Sequence, residues 1–492
     1  MTRVTKKPKE FRNSGVSISD PVSWARGEIE GNITLAQKNR YGHKYEAAMS
    51  YYGKALELLP PADLSVVKRS EINREMIECL CDQGEYSRAL EQLEKVRKLL
   101  TPEVSAVSLE LGRLHNLAAH IHSQLGSYEM AGRECRKALE LFEAHGEEAD
   151  TSRAYKYLGQ IQLLTGDVSS AFNSFVQSLA SFQRIGNETE MASVMNRMAQ
   201  VYFVSSDWER CINLLEEARE LAEKNEMFRL VGAITANLGT IHFVLGNWDL
   251  ARKYNESSLN IFQMLSDSLS ITRRYICLGN LHQVKREWKD AQRLYETAKA
   301  LAEEKEYKRE LALSLEFLGE LDFDMENIAQ AESKYRRALR IAREIAPGGD
   351  LINEIYRRFA ELRVYQGEGR KALSLCQKSW EVSLRLGDRF EEGVVLRAFG
   401  MAYNLLGDHE RARDYFSQGI DSLRSIGEKY ERAKTLLAAG KFISQVFTDY
   451  GSRMEALRYL SQARDLVKEL GLDYLLGIME LELEKVRQIS LT

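Results

Sequence analysis

Proline is scarce in this chain, six residues in 492, and no segment approaches 18 consecutive apolar residues. The first shortage removes the strongest helix breaker; the second leaves nothing to read as a membrane-spanning helix. Cysteine is equally rare, with Cys79, Cys81, Cys135, Cys211, Cys277 and Cys376 all inside helical patterns and none in a CxxC pair. They read as reduced core thiols rather than as a disulfide frame or a metal site. An excess of one charge is missing too, since 68 basic residues face 72 acidic ones. That balance gives no global pull toward nucleic acid or an anionic membrane. Residues 1–20 are the exception: Arg3, Lys6, Lys7, Lys9 and Arg12 face Glu10, which reads as a basic, disordered tail. The tail has no apolar stretch of the kind a secretory signal needs, so a cytoplasmic protein is expected.

Catalytic signatures are also lacking. There is no GxxxxGK[ST] loop, HExxH, GxSxG or glycine fingerprint after a strand. The Gly-Glu-Gly at 367–369 follows no strand, so it does not read as a nucleotide site. His120 and His122 lie two apart and point to different sides of a helix, with no carboxylate or cysteine spaced to complete a metal set. No enzymatic activity, metal or cofactor is expected.

What is present is a repeat. A small residue returns at Ala48, Ala89, Ala131, Ala171, Cys211, Ala251, Ala291, Ala331, Ala372, Ala412 and Ala456, forty positions apart through the middle of the chain. A second small residue follows seven later, at Ala55, Ala138, Ser178, Ala218, Ser258, Ala298, Ala338 and Ser379. Seven residues are two helical turns, so both lie on one stripe. Between them stand Tyr52, Phe175, Tyr295, Tyr335 or Phe416. Small, large, small on one face suits interlocking antiparallel helices. An upstream pair, Leu158-Gly159, Leu238-Gly239, Leu278-Gly279, Leu318-Gly319 or Phe399-Gly400, marks a first helix closely approached by its partner, with the Ala251-type residue as the facing small side chain. The turn aromatics Tyr45, Tyr86, Tyr128, Trp208, Trp248 and Trp288 resemble a ligand cage, but their regular recurrence favours packing.

The order Leu-Gly, turn, aromatic, Ala, Phe or Tyr, Ala resembles the tetratricopeptide repeat, a helix-turn-helix unit. The forty-residue period is similar to the longer arrays of maltose-regulator activators and of GoLoco-binding adaptors. The resemblance implies an all-α, right-handed superhelical α-solenoid of about eleven repeats over residues 21–470, with prolines 60, 61, 102 and 347 at repeat ends. Residues 471–492 read as a capping helix. Leu475, Leu476, Met479, Leu481 and Leu483 make that segment more apolar than a cap requires, which leaves room for a homodimer through this end.

In such arrays the first helices face inward, so the resemblance places ligand on the concave surface. The corresponding slots carry Arg113, Asn116, Arg153, Lys156, Gln160, Asn196, Gln200, Arg273 and Asn280. Asn is a poor helix former, and its recurrence with Gln suits hydrogen bonding to an extended peptide backbone. The cations favour an acidic partner segment. The slots turn acidic at Glu316 and Glu320, then basic again at Arg357, Arg363 and Arg397. Arg197 stands where the carboxylate clamp of chaperone-binding relatives needs Asn. The leading expectation is a non-enzymatic scaffold or adaptor that holds a protein or peptide. The alternative is a regulatory sensor that takes a peptide or small-molecule effector and controls a separate signalling or transcription protein.

Overall fold

A computed structural model describes residues 21–41, 44–59, 66–83, 85–100, 105–125, 127–205, 207–345 and 349–489. The N-terminal tail and prolines 60, 61, 102 and 347 lie outside them. The described residues form 23 helices and no strand. Their contacts divide the chain into two compact units, residues 1–101 and 102–492. The first holds α1 (Pro21–Tyr41), α2 (Tyr45–Leu58), α3 (Val66–Asp82) and α4 (Tyr86–Arg97) around Ile33, Ala36, Ala48, Tyr52 and Ile72.

The second unit runs through α5 (Ser105–Gln124), α6 (Tyr128–His145), α7 (Glu148–Leu164), α8 (Val168–Ile185), α9 (Glu188–Val204), α10 (Trp208–Lys224), α11 (Phe228–Val244) and α12 (Trp248–Met264). It continues through α13 (Ser268–Val284), α14 (Trp288–Glu304), α15 (Lys308–Asp324), α16 (Ile328–Ile345), α17 (Asp350–Tyr365), α18 (Gly369–Leu386), α19 (Arg389–Leu405) and α20 (His409–Ser425). It ends with α21 (Tyr430–Val446), α22 (Tyr450–Glu469) and α23 (Asp473–Ile489). Each odd helix pairs with the even helix after it, so the chain is an α-solenoid of eleven helix pairs and one final helix.

The period of forty is two halves of twenty. A left-handed residue closes nearly every helix from Gly146 onward: Gly166, Gly186, Glu226, Gly246, Ser266, Arg286, Glu306 and Glu326 follow at twenty-residue steps around one undescribed turn. The next residue is often an Asp or Asn that caps the following helix; Asp167, Asn187, Asp207, Asp267, Asp388 and Asp408 each accept a backbone N–H from the first turn.

The small residues do what their recurrence implied. All eleven of the first set are at most 1% exposed, and the second set is fully buried. Where serine replaces alanine, its hydroxyl donates to a first-helix carbonyl: Ser178 to Ser152, Ser258 to Gly232 and Ser379 to Asn353. The conserved-slot glycines differ from expectation in one respect. The second helix lays the large residue four positions after the small one onto the glycine, with Phe175 on Gly159, Asn255 on Gly239 and Tyr335 on Gly319. The small residue's contribution is to bring its backbone near, as the Ala331 carbonyl does at Gly319. The last helix is seated in the same core: Leu475, Met479, Leu483 and Val486 pack with Leu460, Leu466 and Val467 of α22, leaving Leu481 exposed.

Candidate functional site

Buried charge in the second unit lies mainly on the odd helices, with Glu134 of α6 as an exception. Glu110, Asp150, Lys156, Arg274, Glu310, Glu316, Arg357, Glu391 and Arg397 are all at most 9% exposed and all lie on α5, α7, α13, α15, α17 or α19. A buried charge must be paired to be tolerated, and for most of these the partner comes from a neighbouring odd helix, whereas Arg274 donates to Asn255 of α12 at 2.8 Å. Arg113 Nε donates to Asp150 at 2.8 Å, and Arg153 Nε to Glu190 at 2.7 Å. Lys156 Nζ reaches the other oxygen of Glu190 at 2.8 Å. Arg273 holds Glu310 at 2.8 Å, Arg309 holds Asp350, Arg357 holds Glu391 at 2.6 Å and Arg397 holds Glu431. Between α7 and α11 the rungs are amides: Gln160 donates to Gln200 at 3.3 Å and accepts from Arg197 at 2.9 Å, and Asn237 donates to Asn196 at 2.9 Å.

The nine sequence-derived groove residues lie on α5, α7, α9 and α13, and their surroundings differ. Arg113, Arg153 and Arg273 keep side-chain exposures of 32%, 41% and 46% outside their ion pairs. Lys156 is 9% exposed, and desolvation pulls its ammonium below the usual lysine range against the attraction of Glu190. Asn116 is buried, and its Oδ1 has no hydrogen-bond partner. Gln200 lines a small apolar pocket of about 140 Å³ with Phe203, Leu215 and Ile241. Asn280 accepts the Tyr295 hydroxyl at 2.7 Å and faces a larger cavity.

That cavity, about 340 Å³, lies where the second unit turns back on itself. Trp208 Nε1 donates to the Ile426 carbonyl, 218 residues away, at 3.2 Å. Trp248 meets Tyr430 edge-on, ring centres 6.1 Å apart, and the Arg286 guanidinium lies 4.3 Å over the Tyr474 ring. The Gly166 backbone abuts the Arg385 carbonyl. Turn tryptophans 208 and 248 are thus packed, as their recurrence suggested: Trp208 meets Phe203 of its own repeat edge-on at 5.3 Å, and both also reach distant turns. The cavity wall also includes Trp288, Glu320, Asp324, Glu354, Arg357, Arg358, Glu391 and Lys434. Sequence reasoning missed Glu354, Arg358, Tyr430 and Tyr474, because no local pattern tells which turns will meet.

The nine two-helix units of the second unit, α5 to α22, with buried charge concentrated on their first helices, define a helical-repeat array. The family profile described as the MalT-like TPR region matches residues 112–315, and a tetratricopeptide-repeat profile matches residues 351–425. The chain is a tetratricopeptide-type repeat protein. Among solved structures it is similar to a Rap protein complexed with competence and sporulation factor, at 14% identity and a TM-score of 0.56, covering 73% of this chain and 99% of that one. It is also similar to the apo form of RapI, at 14% identity and a TM-score of 0.44, covering 56% and 98%. The first likeness shows a shared solenoid fold. No curated protein matches the sequence.

Proposed function

We propose that the chain is a non-enzymatic interaction scaffold or adaptor that holds a partner segment against its first-helix face. The observation that carries this reading is the concentration of buried charge on the odd helices of the second unit, most of it paired from one odd helix to the next. Side chains fixed in ion pairs have already lost their rotamer freedom, so they present a preorganised polar surface at little further entropic cost. No His, Cys, Asp and Glu cluster suited to a metal ion occurs among the described residues. Arg113, Arg153 and Arg273 carry the expectation of an acidic segment, since they reach solvent beyond their partners. Asn116, Gln160, Asn196, Gln200 and Asn280 would meet its backbone.

The near balance of charge does not favour nucleic acid as the partner. No described helix is long and apolar enough to cross a membrane, and a cytoplasmic place belongs to the same proposal. A homodimer through α23 is left with little apolar area, because Leu475, Met479 and Leu483 are used in its own core. Light scattering at tens of micromolar checks that point.

Replacing Arg113, Arg153 and Arg273 by Gln together tests the groove. Proteins retained by the wild-type chain in affinity purification should be lost, with circular dichroism unchanged. Undiminished capture by the triple variant would remove this face from the recognition surface.

One observation favours the sensor reading. The turn-to-turn contacts at Trp208, Trp248 and Arg286 are few and partly polar, so a bound effector can make or break them. The Rap structure, complexed with a named factor, shows that such a solenoid accommodates a ligand. An effector acting in this way would control a separate signalling or transcription protein.

A further inference from the structure

The cavity wall holds more carboxyl groups than cations. Seven carboxylates line it (Glu320, Asp324, Glu354, Asp388, Glu391, Glu428 and Glu431) against four cations. Three of those cations are engaged: Arg357 by Glu391, Arg358 by Glu320 and Lys434 by Glu431. The fourth, Arg286, lies over the rings of Tyr474 and Trp288. Four carboxylates are left without a cation. Asp324 accepts from the Gln283 amide, Asp388 caps α19, and Glu428 accepts two backbone N–H groups. Glu354 has neither a hydrogen bond nor an ion pair among the described residues, and desolvation pushes its carboxyl well above the usual range.

Two further observations point to an occupant rather than to a merely acidic surface. Directly behind the wall, Glu316 is fully buried, 3.6 Å from Arg358, and neither of its oxygens has a hydrogen-bond partner. Buried polar groups are rarely left so without a reason. The remaining wall is aromatic, with Trp248, Trp288, Tyr430 and Tyr474, and Arg286 already demonstrates that these faces accept a guanidinium. A partly open volume of about 340 Å³ with aromatic side chains and several carboxyl groups in its wall suits a compact organic cation.

We propose that this cavity binds an ammonium or guanidinium head, carried either by a Lys or Arg side chain of a short peptide or by a free polyamine. The proposal deepens the groove reading above and rests on it, but the residues it uses are different. They lie on α12 to α15, α17, α19, α21 and α23 and in the turns at Arg286, Asp388 and Glu428, and the ladder cations Arg113, Arg153 and Arg273 are not among them.

The test follows tryptophan emission and heat of binding on the full chain. One arm titrates spermidine; the other titrates blocked tripeptides Gly-Lys-Gly and Gly-Arg-Gly, with Gly-Glu-Gly as control. Saturable binding of either cation class, weakened at least tenfold in both Glu354→Gln and Asp324→Asn, is the expected result. Binding of the tripeptides alone assigns the cation to a peptide, whereas equal binding of spermidine shows that a free amine suffices. The thermal midpoint of both variants should match or exceed wild type, because each removes an uncompensated carboxylate. Absence of saturable binding at millimolar probe, equal binding of the acidic control, or affinity indifferent to both substitutions overturns the proposal. Partner capture that survives Glu354→Gln but not the Arg113/Arg153/Arg273 triple variant leaves the scaffold reading standing and removes only this one, if cation binding is also absent.

Discussion

Lys156 shows how a residue can look like a ligand contact and be committed elsewhere. Its ammonium is shared with Glu190, whose other oxygen is held by Arg153. Removing the lysine leaves Glu190 with a cation, while removing the glutamate strands a desolvated ammonium. Lys156→Met should therefore cost less than about 1 kcal/mol, and Glu190→Gln about 3 kcal/mol, because breaking a buried pair from one side is the expensive case. Thermal or chemical unfolding of the two variants compares them; equal losses would mean that the rung contributes no more than its packing. Reversing Arg153 and Lys156 together to Glu would gather new carboxylates around Glu190 and Asp150. That change tests folding before it tests recognition, which is why the neutral Gln triple serves better.

At the scale of the helix, a glycine's neighbours decide what a methyl group does. Gly132 in α6 meets nothing closer than the end of the Arg136 side chain at 3.7 Å. Gly132→Ala should raise the melting temperature by the helix-propensity gain, up to about 1 kcal/mol. Gly279 in α13 lies under the Tyr295 ring, whose hydroxyl is held by Asn280 and Gln283 and so cannot retreat. Gly279→Ala should cost about 1–3 kcal/mol through overpacking despite the same propensity gain. A like sign for both substitutions would show that the ring contact is soft. These elements were legible in the sequence because each obeys a local rule: the Leu-Gly pairs and the small slots recur, whereas the capping Asp residues went unread. Left-handed Glu226, Ser266, Arg286, Glu306 and Glu326 were not legible, since no glycine marks those turns and only the twenty-residue cadence reveals them. Asn280 was found by its slot, whereas Glu354, Tyr430 and Tyr474 join it through contacts that no repeat unit contains.

Across the second unit, the carboxylates left without cations make stability fall as the solution becomes more alkaline. Burial raises Glu428 to about 7, and burial beside Glu391 raises Asp388 to about 7, while an unfolded chain holds such groups near 4. Between those values the folded form carries the extra protons, so stability declines as pH climbs from about 4 through about 7. The melting temperature should be lower at pH 8 than at pH 6, and the difference should shrink in Asp388→Asn with Glu428→Gln. A midpoint that rises over this interval would contradict the assignment. Glu190 and Glu431 act oppositely: their cations hold them low, and their contribution is lost only in more acidic solution. The rungs between successive odd helices have one more consequence. Units built on the same small-large-small stripe could stack in the wrong order as the chain collapses, since apolar surfaces so alike scarcely discriminate. Each rung, however, matches a particular acid or amide to a particular donor, and a mistaken neighbour would strand a charge away from water. The ladder thereby works as an address system, telling every module which other module it must follow.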